Sequence, residues 1–497
     1  MRLYIFLSFI IGIMSFFLIR STLYVVQDAE VKKNELLLFI GIMSSQNNSE
    51  ARQSIRDTWL NLTGEQGLKY YFLLGKEVCN VPPEDRLYKE ACTEWTVDIK
   101  GSSEFSTGEA DILRARIFQK TEAYVGFTFL VHHSVVIHRL NIQRGFLVAA
   151  GGFVKLNLIN SVTREKIVSA TFSDVENNSG SDLLEKSVEP YLLPKGFEGQ
   201  VIVELIGNNS GKNLDYSECW LQWNNASGLI TFLQLVRNIN EKPVPFHYVS
   251  CTFASLTFTL HERGELESHI ASKLDRKKTW ENEIKSLKSK LLRESEEKKD
   301  ILFLDVVDVY RNLPRKLLHF FKWAHFNAES SYLLKTDDDT FINIGEVMKT
   351  LKTVRTIQSK KALTRPATEF SLDWWSSFRE GWPVHSFGKW REDNYRSATY
   401  PPFPCGAGYV LSQGVVQFLG NRAFNFLYQD FQGEDVSLGI WLAGANPLRI
   451  TGDNISCEWA CDGTCNPRAC NRAELSVDAM YQAWDAYKNC SNFCGCH

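Results

Sequence analysis

The chain has 497 residues, 44% of them hydrophobic and 12% aromatic, and its 55 lysines and arginines nearly balance 58 aspartates and glutamates for a formal net charge of -3. Such a length and apolar content provide for two or more packed domains and exclude a disordered protein. With a pI near 6.4 and no interleaved basic and aromatic stripe, there is no basic field to hold a nucleic-acid backbone, and nucleic acid is excluded as a partner.

Residues 1–26 open with Arg2 and then an almost uncharged run from Leu3 to Ile19, which Leu23 to Val26 extend. The run is long enough for a helix across about 30 Å of hydrocarbon. A cleaved signal peptide is the alternative, but no small-residue cleavage site follows, so an uncleaved signal anchor and short tail over 1–26 are expected. Arg2 before the span and Lys32 and Lys33 beyond it do not decide orientation. The sequons and cysteines do. Seven N-x-S/T sites (Asn47, Asn61, Asn177, Asn208, Asn225, Asn454 and Asn489) and twelve cysteines follow the span. Both fit a luminal or extracellular body. Seven cysteines crowd into CEWACDGTCNPRAC and NCSNFCGC. Paired C-x-x-C units are lacking and only His497 accompanies them, so disulfides are expected rather than zinc. Cys79 with Cys92 and Cys219 with Cys251 are candidate short-range pairs, but sequence leaves connectivity open.

Residues 34–100 open an α/β domain: ELLLFIGIMS is a buried strand run, ARQSIRDTWL a helix after a Ser-rich turn, and LKYYFLLG a second buried run. Over 120–260 the texture changes to short β-rich runs such as FVKLNLI, KIVSATF and QVIVELIG, separated by Gly and Asn clusters. They predict an inserted β-sandwich-like domain. The α/β texture returns over 261–450. His261 to Lys299 reads as a solvated helix, because its Leu and Ile spacing does not sustain heptads. A strand Ile301 to Val307 follows, then an amphipathic helix with Leu313, Leu317, Phe320 and Phe321 on one side. Residues 451–497 form the Cys-rich C-terminal region.

The strand SYLLK runs into three consecutive aspartates, Asp337, Asp338 and Asp339. Adjacent carboxylates repel one another, so a cation is expected. At a strand end, alternation would point Asp337 and Asp339 the same way, and paired oxygens suit Mg²⁺ or Mn²⁺. An acidic turn capping a helix near Gly345 is the plainer alternative. A second acidic motif, QGEDVSLGIW, places Glu434 and Asp435 in the first turn of a helix. The dipole alone favours carboxylates there. A carboxylate beside a bound nucleotide could also take the proton of an acceptor hydroxyl.

In order, SSQNNSEARQSIRDTW, YYFLLG, DILFLDVVDVYRNLPRKLL, YLLKTDDDTFIN, YPPFPCGAGYVLS and GEDVSLG resemble the β-1,3-glycosyltransferase family that includes the β-1,3-galactosyltransferases and Fringe. The resemblance covers about Leu36 to Gly75 and Asp300 to Gly444. The insertion, with VPPEDR before it and LLPKGFEG inside it, resembles that of an N-acetylgalactosaminyl-transferring branch. It implies a GT-A fold, a UDP-sugar donor (UDP-GalNAc), Mn²⁺, and inverting β-1,3 transfer to a terminal GlcNAc of a glycoprotein glycan, with the O-mannosyl glycan of α-dystroglycan a candidate acceptor. The location implied is the Golgi or endoplasmic reticulum membrane, single-pass type II, with the catalytic part luminal. On this resemblance Asp337 and Asp339 hold the metal, and Asp337 and Asp338 adjoin the nucleotide. Asp435 is the catalytic base and Glu434 orients acceptor or donor. Arg52 and Arg56, from the R-x-x-x-R-x-T-W pattern, fall near the nucleotide, where one would contact the diphosphate, with salt bridges to surface carboxylates as the alternative, while Trp375 and Gly406 adjoin the donor. Trp374, Trp382 and Trp390 are further candidates for sugar contacts, and Cys405 and Gly408 for shaping the backbone there. Some relatives supply a late His to the metal. None stands between Glu434 and the extreme C-terminus here, which leaves a third protein ligand unassigned. Galactose or GlcNAc as donor sugar is the alternative within the class. A non-catalytic luminal lectin or chaperone is the alternative outside it. Asn47 lies so near the expected nucleotide site that it is expected to carry no glycan.

Overall fold

The computed structural model describes residues 36–62, 68–109, 126–173, 182–206, 221–236, 251–362, 371–385, 387–421, 428–450 and 455–496. The signal anchor expected over 1–26 lies outside them, as do Cys219 and the sequons Asn177, Asn208 and Asn454. Among the described residues no helix is long and apolar enough to cross a membrane.

The α/β half is built on seven strands: β1 (Leu36–Met43), β2 (Lys69–Glu77), β3 (Ile301–Val307), β4 (Ser330–Asp337), β5 (Asp373–Trp375), β6 (Gly408–Ser412) and β7 (Leu448–Arg449). Their spatial order is β3-β2-β1-β4-β6-β5-β7. The first four are mutually parallel, and β6 then runs antiparallel to both β4 and β5. Central strands such as LLLFIGIM are continuously apolar because both faces are covered. One face packs on α3 (Leu313–Asn327), whose Leu317, Leu318, Phe320, Phe321 and Ala324 are buried. The other packs on α4 (Ile344–Ala362) and the C-terminal region through Trp59, Phe341, Val347, Leu351 and Trp459.

Between β2 and the long α2 (Lys273–Lys298) the chain builds two main sheets around one core. The five-stranded sheet runs Ile230–Val236, Gly126–Val131, Glu198–Leu205, Phe153–Asn160, Lys166–Ser173, and the four-stranded one Phe105–Ser106, Ala254–Leu260, Val135–Gln143, Leu183–Leu193. Their inward residues alternate along the strands, as in Val135 and Ile137 and, after a register shift, Leu140 and Ile142, and meet around Phe127, Phe129, Phe146 and Trp223. The helical stretch from His261 breaks at Ser272, and only Leu291 of α2 is buried. A solvated face on this helix follows from its charge.

Register at the centre of the first sheet places the acidic motif. Met43 pairs with Asp337, so β1 and β4 end side by side, and Asp338 N–H donates to the Met43 carbonyl at 3.0 Å. The Cys-rich region does not hang apart as a separate module. Cys405 bonds to Cys461, joining the loop before β6 to the C-terminal segment, while Cys457–Cys470, Cys465–Cys494 and Cys490–Cys496 tie that segment together. Cys79 bonds to Cys92. The final helix α6 (Val477–Cys490) lies against α1 (Ser49–Asp57), where Tyr481 donates to Asp57 at 2.9 Å.

Candidate active site

A cavity of about 580 Å³ opens beyond the carboxyl ends of β1 and β4, the usual place for a ligand in an open α/β sheet. Asp337, Asp338 and Asp339 form its floor, and Gly406, Glu434 and Asp435 face them. The two acidic motifs, about a hundred residues apart in the chain, therefore share one space.

The strand ends at Asp337, and Asp338 and Asp339 occupy a turn. Strict alternation accordingly does not describe the pair: Asp339 is exposed, while Asp338 is buried. Asp338 accepts from Asn48 Nδ2 at 2.9 Å, which ties the turn to the loop after β1. A residue that sequence reasoning passed over joins the two motifs. Lys335, fully buried, pairs with Asp337 at 2.7 Å and Glu434 at 3.0 Å, and donates to the Gly406 carbonyl at 2.7 Å. Its charge within the apolar run YLLK was the available signal, since a fully buried lysine requires partners.

Glu434 and Asp435 begin α5 (Glu434–Leu442). Gly433 precedes them at φ 93°, a left-handed conformation that glycine adopts without steric cost. The Val436 N–H donates to Asp435 Oδ1 at 2.8 Å, holding that carboxylate. At Gly406 a Cβ would stand 3.4 Å from Glu434 Oε1 and 3.7 Å from Asp435 Oδ2, so the backbone there comes close to both acids.

Electrostatically the cavity is strained toward negative charge. Burial pushes Asp337 up to about 7, with Glu434 and Asp339 adding repulsion that Lys335 only partly offsets. Burial and then the neighbouring Glu434 push Asp435 up to about 7. Asp338 is also raised, mainly by burial, and Asp339, exposed at the cavity, is raised by partial desolvation of its carboxyl and by the neighbouring Asp338 charge. Carboxylates in this state favour a divalent cation, and an all-oxygen donor set suits Mg²⁺ or Mn²⁺. Among the described residues no three His, Cys, Asp or Glu side chains converge closely enough to hold a metal by themselves. Asp337 and Asp339 are the carboxylates of the candidate pair that could contribute to such a site.

The remaining expected residues are placed differently. Arg52 and Arg56 do not line this cavity. Arg52 is fully buried behind its wall, bonding Glu294 through two nitrogens at 2.9 and 2.6 Å and the Ser44 hydroxyl at 3.0 Å. Arg56 engages Asp300 at 2.7 and 2.9 Å and Glu294 at 2.8 Å. The reason lies in α2: it brings Glu294 over both guanidiniums, a pairing 242 residues distant in sequence that no local pattern reveals. Trp375 is buried edge-on against Trp459, centroids 5.5 Å apart, and lines a separate cavity of about 830 Å³. Gly408 packs under Trp459, and Trp374 packs in the core beside Phe378. Trp382 lies beneath the Arg379 guanidinium, 4.7 Å away. Trp390 alone of these tryptophans lines the aspartate cavity, together with Tyr310, Lys389 and, from the C-terminal region, Cys461 and Glu474.

Fold and site together define an α/β glycosyltransferase. A family model described as galactosyltransferase matches residues 279–450, from within α2 through β7. The zebrafish (Danio rerio) UDP-GalNAc:beta-1,3-N-acetylgalactosaminyltransferase 2 is 33% identical over 92% of this chain and 91% of its own length. The human protein of that name is 29% identical over 92% of this chain and 89% of its own. Mouse beta-1,3-galactosyltransferase 6 is 31% identical over 34% of this chain. The chain belongs to the galactosyltransferase family of UDP-sugar-dependent β-1,3-glycosyltransferases.

Proposed function

We propose that the chain is an inverting β-1,3-N-acetylgalactosaminyltransferase of GT-A type, moving GalNAc from UDP-GalNAc to a terminal GlcNAc on a glycoprotein glycan. The observation that carries this reading is the shared cavity in which the end of β4 and the start of α5 set Asp337 and Asp339 opposite Asp435. Full-length similarity to proteins named for GalNAc transfer supports the choice of donor.

The acceptor hydroxyl lies against Asp435, which takes its proton. The freed oxygen attacks the anomeric carbon, and the bond from that carbon to the diphosphate breaks on the opposite face. An α-linked donor thus gives a β product in one displacement. Positioned general-base catalysis of this kind contributes about 10²- to 10⁴-fold. Asp337 and Asp339 would hold Mn²⁺ and through it the diphosphate; when bound, the metal neutralises charge building on departing UDP. Lys335 and the Gly406 carbonyl keep Glu434 and Asp337 in place through their shared contacts.

The setting we propose is luminal, in the Golgi or endoplasmic reticulum, with 1–26 as a type II anchor. Five disulfides among the described residues support an oxidising compartment.

The test is UDP release by the secreted luminal fragment with UDP-GalNAc, UDP-Gal or UDP-GlcNAc and a β-GlcNAc acceptor, with and without Mn²⁺. Turnover that requires Mn²⁺ and acceptor and prefers UDP-GalNAc is expected. Preference for UDP-Gal would overturn the donor assignment, and a folded fragment with no turnover on any donor would favour a binding protein.

A further inference from the structure

The mouth of the aspartate cavity has an aromatic wall on one side. Tyr310 and Trp390 meet edge-on with centroids 5.8 Å apart, and Lys389 Nζ sits 4.5 Å from the first ring and 4.7 Å from the second. Trp390 stays 45% exposed. An exposed indole face at the rim of a polar cavity is suited to the C–H face of a sugar. Tyr310, Lys389 and Trp390 line the same cavity as Glu434 and Asp435, and Gln432, just ahead of Glu434, bonds the Lys389 carbonyl and Glu392, which puts this wall at the Asp435 end. That is the acceptor's side of the reaction.

Lys389 and Trp390 ride on a loop that lacks regular structure from 387 to 394. Two sets of contacts hold it. On the catalytic side, Gln432 Nε2 donates to the Lys389 carbonyl at 3.0 Å and the Gln432 N–H donates to Glu392 at 2.5 Å, two residues before Glu434. On the other side stands the inserted unit. Both carboxylate oxygens of Glu198 accept from the Gly388 N–H at 3.1 Å, directly before Lys389. Glu198 begins its strand right after the tight turn Pro194 to Phe197. Arg391 is buried 5.8 Å from the Tyr88 ring and feels the charge of Glu198.

We propose that Glu198 is a positioning residue through which the inserted unit holds the 387–394 loop, so that Trp390 and Lys389 present a platform for the acceptor pyranose beside Asp435. This rests on the transferase reading above and deepens it: the insertion contributes to acceptor recognition without touching the reacting atoms.

Glu198→Ala removes both acceptor oxygens, Glu198→Gln keeps one, and Trp390→Ala removes the platform itself. With the luminal fragment and a β-GlcNAc acceptor, Glu198→Ala is expected to raise acceptor KM about tenfold, in line with loss of one charge-assisted hydrogen bond. Donor KM and Tm should stay at the native value, and Glu198→Gln should restore most of the loss. In the double variant Glu198→Ala/Trp390→Ala, acceptor KM should equal that of Trp390→Ala alone, because one residue acts through the other. Native acceptor KM in Glu198→Ala, a loss confined to Tm, or additive effects in the double variant would each overturn the positioning role while leaving the transferase intact. A native fragment that transfers no sugar would overturn both.

Discussion

Two clusters of charge lie side by side at the end of β1, and they have opposite fates. On α1, Arg52 and Arg56 have their guanidinium donors taken up by Glu294, Asp300, Ser44 and Ser45. Beyond β4, Asp337, Asp339 and Asp435 crowd one cavity, where the buried Lys335 pairs with Asp337 and Glu434, and Asp337 and Asp435 are pushed up to about 7. Charge that the fold has already neutralised fastens elements together. Charge that it leaves crowded marks a candidate functional site.

The sharpest way to break this contrast is to remove the carboxylates. Asp339→Ala and Asp435→Asn are each expected to lower sugar transfer by about 10²- to 10⁴-fold, with circular dichroism and elution volume unchanged. Transfer within tenfold of native in Asp435→Asn would remove it as base. Next comes the arginine cluster. Arg52→Ala takes from Glu294 its fully buried partner, leaving it only the pair with Arg56, and should cost about 3 kcal/mol of unfolding free energy, read by urea denaturation, with donor KM unchanged. A donor KM raised tenfold in a stable Arg52→Ala protein would show that the guanidinium serves phosphate after all.

Protons provide a third, smaller test. Asp337 and Asp435 titrate near 7 in the folded chain but in the ordinary carboxylate range when unfolded. Between those values the folded state binds more protons, so their contribution to stability is lost as pH rises. The metal- and nucleotide-free protein should gain Tm as pH falls from about 7.5 to 5.5, on the order of a few degrees, and Asp435→Asn should flatten that slope. A slope identical in the variant would contradict the crowding. The smallest effect concerns Asn47, exposed next to the Asn48 that bonds Asp338. Asn47→Gln is expected to leave gel mobility and activity unchanged, and a glycopeptide from Asn47 of active enzyme would oppose this.

Much of the catalytic half was legible because its signals are local. The strand Ile301–Val307, the helix beginning at Leu313 and the helix that starts with Glu434 fall where apolar periodicity and acidic first turns put them. Cys79 pairs with Cys92 across a short loop. Roles that depend on distant partners were not legible. An arginine reads as a phosphate ligand until α2 lays Glu294 across it, and Trp375 reads as a sugar contact until Trp459 covers it. Tyr310 and Lys389 are unremarkable in sequence, and Lys335 shows there only a charge within an apolar run, because what matters is which charges and rings they meet.

By itself the sequence pointed to the class of chemistry through six ordered motifs that resemble β-1,3-glycosyltransferases; the strand-end aspartates and the acidic helix start, short-range patterns written in consecutive residues, left an acidic turn and a dipole-favoured first turn open. Only the tertiary structure decided which charges remain available. That depends on pairings such as Met43 with Asp337, Arg52 with Glu294 and Glu198 with Gly388, each joining segments far apart in the chain. Electrostatic energy depends on distance in space and on burial, neither of which a linear pattern contains.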